Sequence, residues 1–173
     1  MLKLSREPLI SAVEIDKRLE SLAQELKACD FDVILSVLTG GYIFTADISR
    51  RIANPHLQIA FIRASSYGDS TESSGKVKIT GLEKLDIKNK RVLLIDDILD
   101  TGNTMKALTQ TLSEFGPASI KTCVLLNKES RNTANCHADF VGFEIEDKFV
   151  VGYGLDFAND YRTLPDIWTL EEV

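Results

Sequence analysis

Residues 92–105 read Val-Leu-Leu-Ile-Asp-Asp-Ile-Leu-Asp-Thr-Gly-Asn-Thr-Met. The apolar run from Arg91 to Ile95 has strand length and ends in two acids, Asp96 and Asp97, with Asp100 close behind. In an open parallel sheet, ligands sit beyond the carboxyl ends of the strands, where loops turn into helices. The acids and the turn after them lie in that place. Thr101, Gly102, Asn103 and Thr104 can wrap backbone N–H groups around an anion, and a helix beginning near Thr104 adds the positive end of its dipole. Two other phosphate loops are excluded. Gly75-Lys76 is followed by Val77, where a P-loop needs Ser or Thr, and Gly152-Tyr153-Gly154 runs into Leu155-Asp156-Phe157 without the third glycine of a dinucleotide fingerprint.

Working outward, residues 12–28 carry Val13, Ile15, Leu19, Leu22 and Leu26, mostly at helical spacing. Asp32 to Leu38 is a short apolar strand, Thr39-Gly40-Gly41 a turn, and Ile43, Phe44, Ala46, Ile48 and Ile52 a second helical pattern. A strand follows at 57–64. Residues 65–76 are then too polar to pack and too long for an ordinary connection, which marks a lid, with its boundaries at about 65–81. Met105, Leu108, Leu112 and Phe115 form one face of a helix that stops at Gly116-Pro117. Further strands are expected at 119–127, 139–144 and 149–155. Strands alternating with helices predict an α/β fold, a mainly parallel twisted sheet flanked by helices, in one domain spanning 1–173.

The composition narrows the function. At 44% hydrophobic and 27% charged, the 173 residues can bury a full core. No apolar run approaches the ~20 residues of a membrane span, and the start, MLKLSREP, has no secretory pattern, so a soluble protein with no membrane partner is expected. A net charge of −6 argues against nucleic acid as a partner. Cys29, Cys123 and Cys136 are odd in number and widely spaced, as in a reducing cytoplasm. His56 and His137 have no ligand-spaced partners.

Carboxylates beside an anion cradle would repel phosphate, so they face hydroxyl groups, a divalent cation or a developing positive charge. A phosphorylated sugar that becomes oxocarbenium-like at its anomeric carbon offers all three. Residues 92–105 resemble the phosphoribosyl diphosphate-binding motif of type I phosphoribosyltransferases. Within that family the chain is similar to the hypoxanthine-guanine (6-oxopurine) branch, over roughly residues 8–168. The resemblance is carried by Leu38-Thr39-Gly40-Gly41, Ser65-Ser66-Tyr67, Leu125 to Lys128, DFVGFEIEDKFVVGYGLD at 139–156, and Tyr161-Arg162.

The resemblance implies a small hood built from about 139–173 and a flexible lid. It also implies transfer of a phosphoribosyl group to hypoxanthine or guanine, releasing diphosphate, as a step of purine salvage. Asp96 and Asp97 would hold the ribose hydroxyls directly or through Mg2+, and Asp100 would accept the proton from purine N7. Thr101, Gly102, Asn103 and Thr104 would bind the 5′-phosphate, while Thr39, Gly40 and Arg162 would bind diphosphate. Lys128 would donate to the exocyclic oxygen, Phe149 would stack on the base, and the backbone of Val150 and Asp156 would read its pyrimidine edge. Asp156 would also contact a second magnesium. Ser66 and Tyr67 would close over the reacting centre. A homodimer or homotetramer is implied, with residues 39–52 near the partner.

Three positions depart from the family pattern. Thr39 stands where lysine or arginine is usual, Asp96 where glutamate is, and Asn103 where lysine is common. The family also implies a cis peptide at Thr39–Gly40. Two alternatives stay open: a xanthine-preferring phosphoribosyltransferase, and a non-catalytic relative that senses a nucleotide or RNA.

Overall fold

The computed structural model describes residues 2–66 and 77–172. A six-stranded sheet organises them. Its strands are β2 (Val33–Leu38), β3 (Gln58–Ser66), β4 (Val77–Thr80), β5 (Arg91–Leu99), β6 (Ser119–Asn127) and β7 (Phe140–Glu144), in the order β4-β3-β2-β5-β6-β7. All pairings are parallel except that of β4 with β3.

The central strands are apolar on both faces because helices cover both. Helix α1 (Ala12–Lys27) buries Ile15, Leu19, Leu22, Ala23 and Leu26 on one stripe, and Val13 faces solvent. A capping box between Ser11 and Glu14 fixes its start. Helix α2 (Tyr42–Ile52) adds Phe44, Ile48 and Ile52 to the same cluster, which meets Ile34, Leu93 and Ile95 of the sheet. On the opposite face, α3 (Asn103–Ser113) packs Met105, Leu108 and Leu112 against Leu35, Val92, Leu94 and Val124. Each such fully buried side chain contributes roughly 1.5–3 kcal/mol.

The chain ends build a second sheet that periodicity did not indicate. Strand β1 (Leu2–Leu4) pairs antiparallel with β9 (Trp168–Glu172), which pairs in turn with β8 (Val150–Val151). The expected strand at 149–155 shrinks to these two residues of β8. Gly152, Tyr153 and Gly154 all have positive φ (95°, 51° and 99°), so the chain coils there instead of extending. Strand β5 differs in the other direction: its ladder with β6 runs on to Leu99↔Asn127, which places Asp96 and Asp97 on the strand itself.

The segment expected to form a lid is flanked by the antiparallel pairing of β3 with β4, Arg63↔Thr80 to Ser66↔Val77. Tyr67 and the rest of 67–76 lie outside the described residues, as does the side chain of Ser66. Among the described residues, no helix is long and apolar enough to cross a membrane.

Candidate active site

A cleft of about 300 Å3 opens at the carboxyl ends of β2 and β5, the position predicted from the parallel sheet. Asp96, Asp97, Asp100, Thr101, Gly102, Thr104, Thr39, Gly40, Asp156 and Arg162 line it. Asp96 is only 8% exposed, and its Oδ1 accepts the amide of Asp97 at 2.9 Å, while Asp97 Oδ1 accepts the amide of Ile98 at 2.9 Å. Burial pushes the Asp96 carboxyl well above the usual range, and the neighbouring Asp97 charge adds to the rise. Asp97 is also raised by burial, against hydrogen bonds and the field of Arg162. Gly40 packs directly on this pair, since a Cβ there would lie 1.9 Å from Asp97 Oδ2.

These acids can take a divalent cation of a particular kind. Among the described residues, no three His, Cys, Asp or Glu converge into a complete cage. Mg2+ is usually held by one or two carboxylates, with waters and substrate phosphates completing an octahedron. The adjacent Asp96 and Asp97, and Asp156 across the cleft, fit that donor set.

The Thr101–Thr104 turn is braced from behind. Thr133 and Ala134 both donate to Thr101 O at 3.1 Å, and Asn132 Nδ2 donates to Cys136 O at 2.8 Å. Gly102 is the N-cap of α3 at φ 85°, and a Cβ on it would meet Asn132 Oδ1 at 3.0 Å. No side chain caps the helix. Asn103 N–H donates to Thr101 Oγ1 at 3.3 Å, which leaves the first-turn amides of Thr104 and Met105 for an anion. The Asn103 side chain is exposed and takes no part in the lining.

Immediately before the turn, Asp100 joins a square of alternating charge. Lys128, 6% exposed at the end of β6, sits 3.5 Å from Asp147 and 4.0 Å from Asp100. Arg131, on the 3-10 turn Glu129–Arg131, donates from Nε to Asp100 Oδ1 at 3.0 Å and approaches Asp147 at 3.8 Å. A buried ammonium is tolerable only with such partners. Asn127 anchors the approach to Lys128, donating from Nδ2 to both Glu144 oxygens at 2.9 and 3.1 Å.

Phe149 is 52% exposed and meets Phe157 edge-to-face at 5.7 Å. It is therefore a surface aromatic and not part of the core, although composition alone would favour the core for a residue in this apolar run. Leu170 N–H donates to Phe149 O at 3.0 Å. Alternate residues of an antiparallel ladder turn their polar groups to the same neighbour, so Val150 turns its N–H and C=O away from β9, and β8 is the edge of its sheet.

Residues 11–158 match the phosphoribosyl transferase domain family. The chain belongs to this family. As a phosphoribosyltransferase it has near relatives along almost its full length. It is 41% identical to the hypoxanthine-guanine phosphoribosyltransferase of Aquifex aeolicus, over 95% of this chain and 94% of that protein. It is 39% identical to the hypoxanthine phosphoribosyltransferase of Escherichia coli, over 96% of each. A crystal structure of a hypoxanthine phosphoribosyltransferase from Staphylococcus aureus superposes with a TM-score of 0.89 at 38% identity, covering 96% of this chain and 91% of that one.

Ten of the residues singled out from sequence line the phosphoribosyltransferase cleft, whereas Asn103, Lys128, Phe149 and Val150 are not part of its lining, and three further features differ from expectation. The cis peptide is Leu38–Thr39, one bond before the expected Thr39–Gly40. Arg162 is held within the protein, by Asp156 at 3.0 Å and by Gly154 O at 2.7 Å. Arg131, Asp147 and Phe157 were not anticipated. Arg131 follows Lys128 by three residues, one helical turn, which is the only sequence signal that could have found it.

Proposed function

We propose that this phosphoribosyltransferase moves the 5-phosphoribosyl group from phosphoribosyl diphosphate to N9 of hypoxanthine or guanine, giving IMP or GMP and diphosphate. The observation that carries the reading is the buried Lys128 held beside Asp100 and Asp147, with the exposed Phe149 two residues along the chain from Asp147.

The first-turn amides of α3 and the Thr101–Thr104 turn bind the 5′-phosphate. Asp96 and Asp97 take the ribose hydroxyls, and their charge favours an oxocarbenium-like centre. Asp96 and Asp97 would hold one magnesium and Asp156 another, supplying positive charge to the diphosphate. Arg162, swung from Asp156, matches phosphate oxygens with its planar fork.

Phe149 stacks on the purine and the outward-turned backbone of Val150 meets the pyrimidine edge, with the backbone of Asp156 beside it. Lys128 donates to the exocyclic oxygen. Adenine presents an amino group there, and donor against donor leaves a buried group unpaired at a cost of about 1–3 kcal/mol. Asp100 accepts the proton from N7 as the new glycosidic bond forms, its other oxygen steadied by Arg131. Ser66 and Tyr67 belong to the lid that excludes water.

We place the reaction in the cytoplasm as purine salvage, where the three free cysteines stay reduced. A dimer or tetramer built along 39–52, where Tyr42 is exposed, completes the reading. The test is a magnesium-dependent assay offering hypoxanthine, guanine, xanthine and adenine separately. IMP and GMP without AMP are expected. Efficient AMP formation, or product from xanthine alone, would contradict the assignment.

A further inference from the structure

Among the described residues that line the cleft, Asp96, Asp97, Asp100 and Asp156 face one cation, Arg162, and that cation is already engaged by Asp156 and by a backbone carbonyl. A departing diphosphate gathers further negative charge in this same space. The loop after β2 carries a neutral Thr39 where it meets the cleft.

The neighbouring strand supplies what the loop lacks. In the parallel β2–β3 register Arg63 lies opposite Leu38, the last residue of β2, so its side chain starts level with the loop. Strand β3 continues past that point to Ser66, beside the cleft-lining Ala64. From there Arg63 Nη1 donates to Thr39 Oγ1 at 3.0 Å. The guanidinium is thus delivered to the loop by a neutral hydroxyl, whereas Arg162 is neutralised by a carboxylate. Arg63 is exposed, so turning toward an anion does not require unpacking the core.

We propose that Arg63 is the second diphosphate-binding cation of this chain, with Thr39 guiding it into the cleft. Loop and strand divide between them the work of one basic side chain: the hydroxyl orients, and the guanidinium binds phosphate oxygens as a fork. The inference rests on the phosphoribosyltransferase reading for its ligand.

Calorimetric titration of inorganic diphosphate in the presence of Mg2+ tests it, alongside KM for phosphoribosyl diphosphate and for hypoxanthine. Arg63→Ala is expected to weaken diphosphate and to raise KM for phosphoribosyl diphosphate roughly ten- to hundredfold, the range for a hydrogen bond to a charged group. KM for hypoxanthine should stay within about twofold, because the base lies on the other side of the cleft. Arg63→Lys keeps charge without the fork and should fall between. Thr39→Lys added to Arg63→Ala should restore diphosphate binding. Unchanged diphosphate affinity in Arg63→Ala, with an active wild type, would overturn the role of Arg63 alone. A wild type that transfers to no 6-oxopurine would overturn the functional reading, while the diphosphate titration would still decide Arg63.

Discussion

The two sides of the cleft are built in different ways. The side proposed for the phosphoribosyl group is nearly continuous in sequence, Asp96 and Asp97 followed by Thr101 to Thr104, and its phosphate cradle would be mainly backbone amides positioned by a strand, a glycine at positive φ and a helix N-terminus. The side proposed for the base is assembled from separate segments: Asp100, then Lys128 and Arg131, then Asp147, with Phe149 two residues further on. A site made of main chain tolerates exchange of its side chains. A site made of alternating side-chain charges depends on each of them, because removing one leaves its partner unpaired in partly buried surroundings.

The largest effect should come from breaking the base side at its centre. Asp100→Asn keeps the shape but cannot accept a proton, and steady-state kinetics with hypoxanthine should show kcat falling by about 10²–10⁴. A loss under tenfold would move the base elsewhere. Next in size is Lys128→Ala. It should cost roughly ten- to hundredfold in kcat/KM for hypoxanthine and narrow the preference over adenine. An unchanged ratio between the two bases would remove Lys128 from base selection.

A smaller effect concerns the acid pair. The folded pKa values of Asp96 and Asp97 are raised by burial, so the proton-bound form fits the ligand-free fold better. Their contribution is fully favourable below the unfolded carboxyl pKa of about 3.9 and is lost as pH rises through the raised folded values. Asp96→Asn should therefore raise the Tm of the ligand-free protein at pH 7, by roughly 2–4 °C for each kcal/mol relieved, while depressing activity. A lower Tm would mean that the carboxylate is structurally favourable. Smallest of all is Asn103→Ala, expected to change KM for phosphoribosyl diphosphate by less than about twofold because the exposed side chain is not part of the cleft lining.

The same contrast explains what was legible in the sequence. Asp96 to Thr104 could be read directly because its strand, acids and turn are consecutive, and the helices showed in the spacing of Ile15, Leu19, Leu22 and Leu26 and of Met105, Leu108 and Leu112. Lys128, Phe149 and Val150 were found only through family resemblance. Arg131 and Asp147 escaped because their meaning lies in contacts with Asp100 and Lys128 that close across loops, and no local period encodes those. Nothing in the sequence sets Arg63 apart within its strand, and only the register places it opposite Leu38. Strands β1 and β9 were missed because each pairs with the far end of the chain, Leu2 with Glu172, and neither carries a turn signal.

The central claim is that anchoring of the phosphoribosyl group and activation of the base are separable. The most direct measurement is calorimetric titration of phosphoribosyl diphosphate with Mg2+ into wild type and Asp100→Asn, read beside turnover of the same preparations. Affinity retained within about threefold, below 1 kcal/mol, with turnover lost by at least about a hundredfold, is the result expected from a side-chain base next to a main-chain anchor. Affinity and turnover falling together would show that Asp100 supports the phosphate turn itself, and the division between the two sides would not hold.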